Sequence, residues 1–161
     1  MSHQPRQTPH ELRRGEYLVS TDRSRLDLRA IHAFLTRAYW SEGVPYATVE
    51  RGIANSLPFG AYSSDGSLAG FARVITDFAS FAYLADVFVL EAHRGNGLGK
   101  LLMEAVLSHP ELHGMRRWLL FTRDAHGLYA QFGFRPTDRA DRRIMDRFDP
   151  EVYNRPAPEQ P

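Results

Sequence analysis

The sequence contains no cysteine, and this absence removes several kinds of chemistry from consideration. Disulfides, thiolate-bound metals and a cysteine nucleophile are excluded. Hydrophobic runs are also short, since none approaches the roughly 20 residues that a transmembrane helix needs. The first ten residues lack the apolar core of a signal peptide. We therefore expect a cytoplasmic protein that does not associate with membranes.

An excess of charge of either sign is missing too. The 161 residues include 20 Lys and Arg against 19 Asp and Glu, a formal net charge of +1. A nucleic-acid-binding domain normally needs a strong basic patch, so we expect no nucleic-acid partner. The chain is 43% hydrophobic and 12% aromatic, which suits a compact domain with its own core. We expect one domain over residues 15–149, between a flexible tail at residues 1–14 and a proline-rich tail at residues 150–161.

A glycine-rich turn between a strand and a helix is the most informative stretch of the chain. The apolar run 83–90 is typical of a buried strand, and residues 101–107 are typical of an amphipathic helix. Such a turn exposes backbone N–H groups at the positive end of a helix, where phosphate groups bind. Its glycines stand one residue too close together for a P-loop or a dinucleotide-binding fingerprint. The turn consists of Arg94, Gly95, Asn96, Gly97, Leu98, Gly99 and Lys100.

The spacing R-x-x-G-x-G after a strand that ends in valine resembles the GNAT superfamily of acyl-CoA N-acyltransferases. Val89 lies five residues before Arg94, as the strand-end valine does in that family, whereas Glu91 stands where proline is frequent. The resemblance covers residues 17–148 and implies that the loop holds the pyrophosphate of acetyl-CoA. The alternative is a turn whose glycines serve packing alone. The implied coenzyme-binding residues are Phe88, Val89, Arg94, Gly95, Asn96, Gly97, Leu98, Gly99, Lys100 and Tyr129.

A second motif follows the next predicted strand. Ala125, Tyr129 and the pair Gly133-Phe134 match the A-x-x-x-Y-x-x-x-G-F helix of the same family. The resemblance implies that Tyr129 protonates the departing thiolate. The alternative is a core tyrosine whose hydroxyl bonds to the backbone. We expect Asp124 to cap this helix and Gly133 to end it, and Thr122 stands where the family often has an asparagine that contacts pantetheine.

Asp86 is the candidate catalytic base because it interrupts an otherwise apolar central strand. A buried carboxylate is costly to ionise and is suited to accepting a proton, directly or through water. The alternative is a structural aspartate bonded to the backbone or to an arginine such as Arg73. Glu50, on the predicted second helix, is another candidate base. We expect a splayed strand to leave the Val89 N–H free to bind the acetyl carbonyl oxygen.

Acceptor recognition is predicted mainly in the connection between the first two helices. Tyr39, Trp40 and Tyr46 lie there and either line an acceptor pocket or are partly buried in the core. His126 precedes Tyr129 by one helical turn and shares its face. His109 and His113 lack further ligands, so we expect no metal.

The predicted fold is α+β, with three layers and a mixed twisted sheet of six to seven strands flanked by about four helices, as in GNAT proteins. Asp22 or Ser24 is the expected N-cap of the first helix, and further strands are expected near Phe134 and over residues 143–148. The implied activity is transfer of an acetyl group from acetyl-CoA to a primary amine by direct attack. The acceptor is a small molecule or a peptide, and the chain is a monomer or a homodimer. The alternative function is a non-catalytic acyl-CoA-binding or sensor module.

Overall fold

The computed structural model describes residues 8–137 and 144–155. Six strands among these residues form one sheet, in the order β1-β2-β3-β4-β5-β6. Neighbouring strands are antiparallel except for β5 and β6, which are parallel, so the sheet is mixed as predicted. The strands are β1 (Glu11–Arg14), β2 (Tyr17–Ser20), β3 (Leu57–Tyr62), β4 (Leu68–Thr76), β5 (Phe81–Val89) and β6 (Arg117–Leu119).

Helices pack on both faces of the sheet and complete the three layers of the expected α+β fold. Side chains alternate between the two faces of each strand, so the core divides into two clusters. Val74 and Leu84 belong to the cluster beneath α3, whereas Phe71 and Phe88 belong to the cluster beneath α1 and α2. The helices are α1 (Leu28–Leu35), α2 (Tyr46–Ala54), α3 (Leu98–Leu107) and α4 (His126–Ala130).

The parallel strands β5 and β6 part after a short paired segment. Their register runs from Phe81 opposite Arg117 to Tyr83 opposite Leu119. β6 ends there, whereas β5 continues to Val89. The second half of β5 is therefore not paired with β6, and this edge of β5, called the cleft below, leads to the glycine-rich loop.

A β-bulge in β5 lies beside this cleft. The register with β4 shifts between Phe71 and Arg73, so β5 carries one extra residue at this point. Asp86 occupies the bulge with a φ of 54°, a left-handed backbone conformation that is uncommon for residues other than glycine. The bulge therefore turns Asp86 out of the regular alternation of the strand.

The N-terminal strand is a correction to the predicted tail. Glu11–Arg14 form β1 and pair along their whole length with β2. The Arg14 guanidinium also forms an ion pair with Glu104 of α3, with N and O atoms 2.5 Å apart. A short, polar edge strand has no apolar alternation, so its pattern resembles that of a tail.

The first helix begins later than predicted. The Asp27 carboxylate accepts a hydrogen bond from the Ala30 N–H and caps α1. Asp22 instead caps a separate 3-10 turn, Arg23–Arg25, by accepting from the Ser24 N–H. The expected cap at Asp22 or Ser24 is therefore wrong for α1.

The C-terminal strands expected near Phe134 and over residues 143–148 are not present in the described residues. Residues 134–137 and 144–148 adopt no strand, and Arg143 lies outside the described ranges. No helix within residues 8–137 and 144–155 is long and apolar enough to cross a membrane.

Candidate active site

The glycine-rich loop has the geometry of an anion site. Gly95 and Gly97 have φ values of 80° and 73°, and α3 begins directly afterwards at Leu98. A side-chain atom built on either glycine would meet no atom of the described residues within 4 Å, so these residues leave open space above the loop. The Arg94 Nε donates to the Val89 carbonyl at 3.2 Å, which ties the loop to the end of β5. The loop thus directs N–H groups at the start of α3 towards open space.

Some residues of the predicted coenzyme site have side chains in the core. Leu98 is buried, and the Phe88 ring stacks on Phe34 with centroids 3.9 Å apart. A side-chain atom built on Gly99 would lie 3.4 Å from Leu128 of α4, so this glycine allows the two helices to approach. These positions therefore offer backbone groups to a ligand. Asn96 and Lys100 are exposed, and the Asn96 amide bonds to the loop carbonyls.

The Val89 N–H faces the cleft between β5 and β6. The Leu90 N–H donates to the carbonyl of Ala69, in the neighbouring strand β4, at 2.9 Å. Donors alternate in direction along an antiparallel ladder, so the preceding N–H, on Val89, turns away from β4. The geometry agrees with the expectation that this group is available as a donor.

Tyr129 lies on α4 with 8% of its surface exposed. Burial raises the pKa of its hydroxyl to about 12, and the nearby Tyr39 and Asp124 add to this shift. The ring packs edge-on against Phe134 at 6.1 Å. The hydroxyl makes no hydrogen bond to any residue of the described ranges, so the backbone partner expected of a purely structural tyrosine is missing there.

The ends of α4 agree only partly with the prediction. Gly133 has a φ of 84° and follows the last turn, as expected of a helix stop. At the other end the Ala125 N–H donates to Thr122 Oγ1 at 3.0 Å. The α4 N-cap is Ala125 without a side-chain bond, so the expected capping role of Asp124 is wrong. The Thr122 hydroxyl is engaged within the loop.

The carboxylate of Asp86, in the bulge of β5, accepts hydrogen bonds from two side chains. Its Oδ2 lies 2.5 Å from Arg73 Nε, and its Oδ1 accepts from the indole N–H of Trp40 at 3.1 Å. The side chain is 13% exposed. The pairing with Arg73 is the structural alternative raised from the sequence.

Trp40 and Tyr39 attach the connection between α1 and α2 to the sheet side of the site. Trp40 reaches Asp86 as described, and the Tyr39 ring meets the Trp40 ring edge-on at 5.1 Å. The Tyr39 hydroxyl accepts from the backbone N–H of Arg123 at 3.0 Å. Tyr39 is 46% exposed and Trp40 is 41% exposed, so both still present ring surface to solvent.

Three other predicted residues make no contact with Asp86 or Tyr129 of the kinds described above. The Tyr46 ring contacts His32 at 5.4 Å, and Glu50 is exposed on α2. His126 is exposed at the start of α4, whereas Tyr129 one turn later is buried. No hydrogen bond or ring contact within residues 8–137 and 144–155 joins Tyr46, Glu50 or His126 to Asp86 or Tyr129.

Arg123 is a residue of the site that the sequence reasoning missed. Its guanidinium carbon lies 3.9 Å from the centroid of the Tyr39 ring. The available signal was its position inside the second motif, between Thr122 and Asp124. Pattern reasoning did not identify it because its aromatic partner is distant in the sequence.

Two cavities of the molecule lie away from this cleft. One of about 870 Å³ includes His10, Arg23 and His109, near the C-terminal end of α3. The other, of about 960 Å³, includes Trp118 and Phe132. Neither contains the glycine-rich loop, so the candidate site is defined by strand and loop geometry. No group of His, Asp or Glu in the described part of the chain is arranged to hold a metal ion.

Comparisons with known proteins agree with these motifs. The sequence model of the acetyltransferase (GNAT) family matches residues 25–134. A protein of Gibberella zeae, named as a putative acetyltransferase, is 32% identical over 146 residues, covering 76% of this chain and 81% of that protein. A crystal structure from Xanthomonas campestris pv. campestris, described as a putative acetyltransferase of the GNAT family, is 48% identical with a TM-score of 0.83, covering 88% of this chain and 99% of that one.

A more distant structure adds support for the fold alone. It is described as a predicted acetyltransferase from Clostridium acetobutylicum with acetyl-CoA, and it is 16% identical with a TM-score of 0.57. The match covers 76% of this chain and 91% of that one.

Proposed function

Because the chain belongs to the GNAT acetyltransferase family, we propose that it transfers the acetyl group of acetyl-CoA to a primary amine by direct attack. The observation that carries this proposal is the parting of β5 and β6 directly beside the glycine-rich loop. In the proposed site the Val89 N–H, the glycine-rich loop and the buried Tyr129 act together on the acetyl-CoA thioester.

The loop is suited to the pyrophosphate of the coenzyme. Gly95 and Gly97 leave open space above the backbone, and α3 is long enough for its N-terminus to favour an anion. Lys100 is exposed on the first turn of α3 and supplies a positive charge there. When bound, acetyl-CoA supplies the activated acetyl group.

The Val89 N–H is suited to stabilising the charge that develops on the acetyl carbonyl oxygen. A donor fixed in a strand needs no rearrangement when the tetrahedral intermediate forms. The parting of β5 and β6 leaves the Val89 N–H facing the cleft rather than another strand.

Tyr129 is suited to delivering a proton to the leaving sulfur. The amine nitrogen forms a bond to the carbonyl carbon, the carbon–sulfur bond breaks, and the sulfur takes the hydroxyl proton. The ammonium proton of the attacking amine passes to water, and the tyrosinate regains a proton from solvent. A pKa of about 12 keeps the Tyr129 hydroxyl protonated until the thiolate departs.

Asp86 is suited to positioning the connection between α1 and α2. Both carboxylate oxygens already accept hydrogen bonds, from Arg73 and from Trp40. Through these bonds Asp86 holds Trp40, and with it the connection between α1 and α2, against the bulge of β5.

A turnover assay tests the proposal. Acetyl-CoA is mixed with the protein and a panel of primary amines, the release of free thiol is followed, and the acetylated amine is identified by its mass. We expect thiol release that depends on an amine. Coenzyme binding without turnover on every acceptor would instead support the non-catalytic sensor, and an absence of binding would overturn both functions.

A further inference from the structure

Arg123 carries a positive charge that the described part of the chain does not neutralise. Its guanidinium lies over the Tyr39 ring at 3.9 Å, and it forms no ion pair with any residue in the ranges 8–137 and 144–155. Contact with the Tyr39 ring engages one side of the guanidinium, and the N–H donors at its edge remain able to bind a ligand. An exposed arginine fixed on an aromatic ring is therefore prepared for an anion.

Arg123 contacts the connection between α1 and α2, where acceptor recognition is predicted. Its backbone N–H donates to the Tyr39 hydroxyl at 3.0 Å, so ring and guanidinium are fixed relative to each other. Tyr39 also contacts the Trp40 ring edge-on, and the Trp40 indole N–H donates to Asp86. Arg123 is therefore connected, through Tyr39 and Trp40, to Asp86 in the bulge of β5.

The other arginines near the cleft are already engaged. Arg73 is paired with Asp86, and Arg94 donates from its Nε to the Val89 carbonyl. Arg123 differs because its side chain makes no hydrogen bond to the described residues. Arg94 belongs to the loop proposed for the coenzyme, so Arg123 is the one of these three arginines whose charge is left for the acceptor.

We infer that the acceptor carries an oxyanion besides its amine, and that Arg123 is the specificity-determining residue that binds this oxyanion at its guanidinium edge. The inference rests on the proposed acetyl transfer and narrows its substrate class. Carboxylate and phosphate both match the planar fork of a guanidinium. An acceptor surrounded by further positive charges, such as a polyamine, is repelled at the same place.

Exposed aromatic surface near Arg123 adds to this description. Trp40 is 41% exposed, and Phe121, close to the Tyr83 ring, is 70% exposed. Such surfaces bind apolar bodies or the faces of sugar rings. The expected acceptor is therefore a small amine with an apolar or ring-shaped body and one anionic group.

Matched acceptor pairs test the inference. Phenylalanine is compared with phenethylamine for the carboxylate, and glucosamine 6-phosphate with glucosamine for the phosphate, at equal concentrations of neutral amine. The kcat/KM of wild-type protein should favour the anionic member of one pair by roughly tenfold or more, the scale of one charge-assisted hydrogen bond. The pair that shows the preference identifies the oxyanion.

Variants then assign the preference to Arg123. In Arg123→Gln the ratio within the pair should fall to about one, and Arg123→Lys should keep part of it because lysine retains charge without the fork. Arg37→Gln is the matched control, since Arg37 is exposed and its Nε donates to the Ala33 carbonyl. Its ratio should equal that of wild type. Unchanged affinity of Arg123→Gln for coenzyme A shows that the fold and the coenzyme site persist.

A binding measurement separates failure of the proposed acetyl transfer from failure of the oxyanion inference. Thermal stabilisation by each pair member is recorded with coenzyme A present, in wild type and in Arg123→Gln. Stronger stabilisation by the anionic member that depends on Arg123 supports the inference even if no thiol is released, a result that would overturn the acetyl transfer alone. Turnover without preference for the anionic member, or a preference that persists in Arg123→Gln, would overturn the inference alone.

Discussion

Tyr129 can act as an acid only while its hydroxyl keeps its proton, and its buried position provides this. In Tyr129→Phe the ring should still pack against Phe134, so the melting temperature and coenzyme affinity should remain near those of wild type. Turnover should fall by roughly 100-fold, the scale of general acid catalysis, when thiol release is measured under saturation. Tyr153→Phe, at a partly exposed tyrosine outside the site, serves as the control. Wild-type turnover in Tyr129→Phe would restore the structural interpretation of this residue.

Asp86 allows a test that separates positioning from base catalysis. Asparagine tolerates the left-handed backbone of the bulge, so Asp86→Asn should add little strain there. Its amide cannot accept from both Arg73 and Trp40, and the free energy of unfolding measured in urea should fall by roughly 1–3 kcal/mol. The ascending limb of the pH–rate profile should keep its position. Disappearance of that limb with unchanged stability would identify the carboxylate as the base.

Contacts between residues that are distant in the chain could not be predicted from the sequence. Asp86 stood out because a carboxylate interrupts an apolar strand, and Arg73 was raised as its partner. Its second partner, Trp40, and the stacking of Arg123 on Tyr39 involve residues far apart in the chain. No local pattern encodes such contacts, because they depend on how separate elements meet.

The loop and α3 form the element on which coenzyme binding should depend. Gly97 caps α3 with a left-handed backbone, which aspartate and asparagine tolerate better than valine does. Gly97→Asp and Gly97→Asn therefore form a matched pair that differs mainly in charge. The dissociation constant for coenzyme A should be roughly tenfold or more higher in the aspartate variant, and the difference should shrink as salt screens the repulsion.

Helix stability cannot produce the same difference between these two variants. Both residues are good N-caps, and a negative charge at the start of α3 favours the helix itself. Circular dichroism and the melting temperature check that both variants are folded. Equal affinity of the two variants, measured by calorimetry at low salt, would show that the pyrophosphate binds elsewhere.

Elements with local signals were predicted well from the sequence. The β5–loop–α3 unit and the hairpin of β3 and β4 were identified because apolar runs, glycine spacing and an Asp-Gly turn are local features. β1 was missed because its four residues include one apolar side chain and lie at the sheet edge. The α4 cap was misplaced because Thr122 and Asp124 are both suitable caps, and the backbone geometry decides between them.

Stability of the whole molecule should depend on alkaline pH through buried tyrosines. Burial raises the pKa of Tyr62 and of Tyr129 to about 12, whereas the unfolded value is 10.0. The folded protein then binds more protons above pH 10.0, so their contribution to stability is complete below that pH and is lost as the pH rises towards 12. The free energy of unfolding in urea should fall over this range.

Tyr62→Phe tests this contribution. The Tyr62 hydroxyl is buried and has no hydrogen-bond partner within residues 8–137 and 144–155, so its removal should raise the free energy of unfolding near pH 8 by about 1 kcal/mol. The decline above pH 10.0 should also become shallower, because one of the three tyrosines with a raised pKa, Tyr62, Tyr83 and Tyr129, is gone. Tyr153→Phe, which changes a partly exposed phenol, should leave both quantities unchanged. A decline as steep as that of wild type would assign the alkaline sensitivity to other groups.

The parting of β5 and β6 makes the proposed oxyanion donor a property of the main chain. Substitutions of the Val89 side chain should therefore change activity only through their effect on packing. Proline is the exception, because it has no backbone N–H. Replacing the amide by an ester, through an α-hydroxy acid introduced at this position, deletes the donor and keeps the isopropyl group. A family of related sequences could thus exchange this side chain freely while keeping the same catalytic atom.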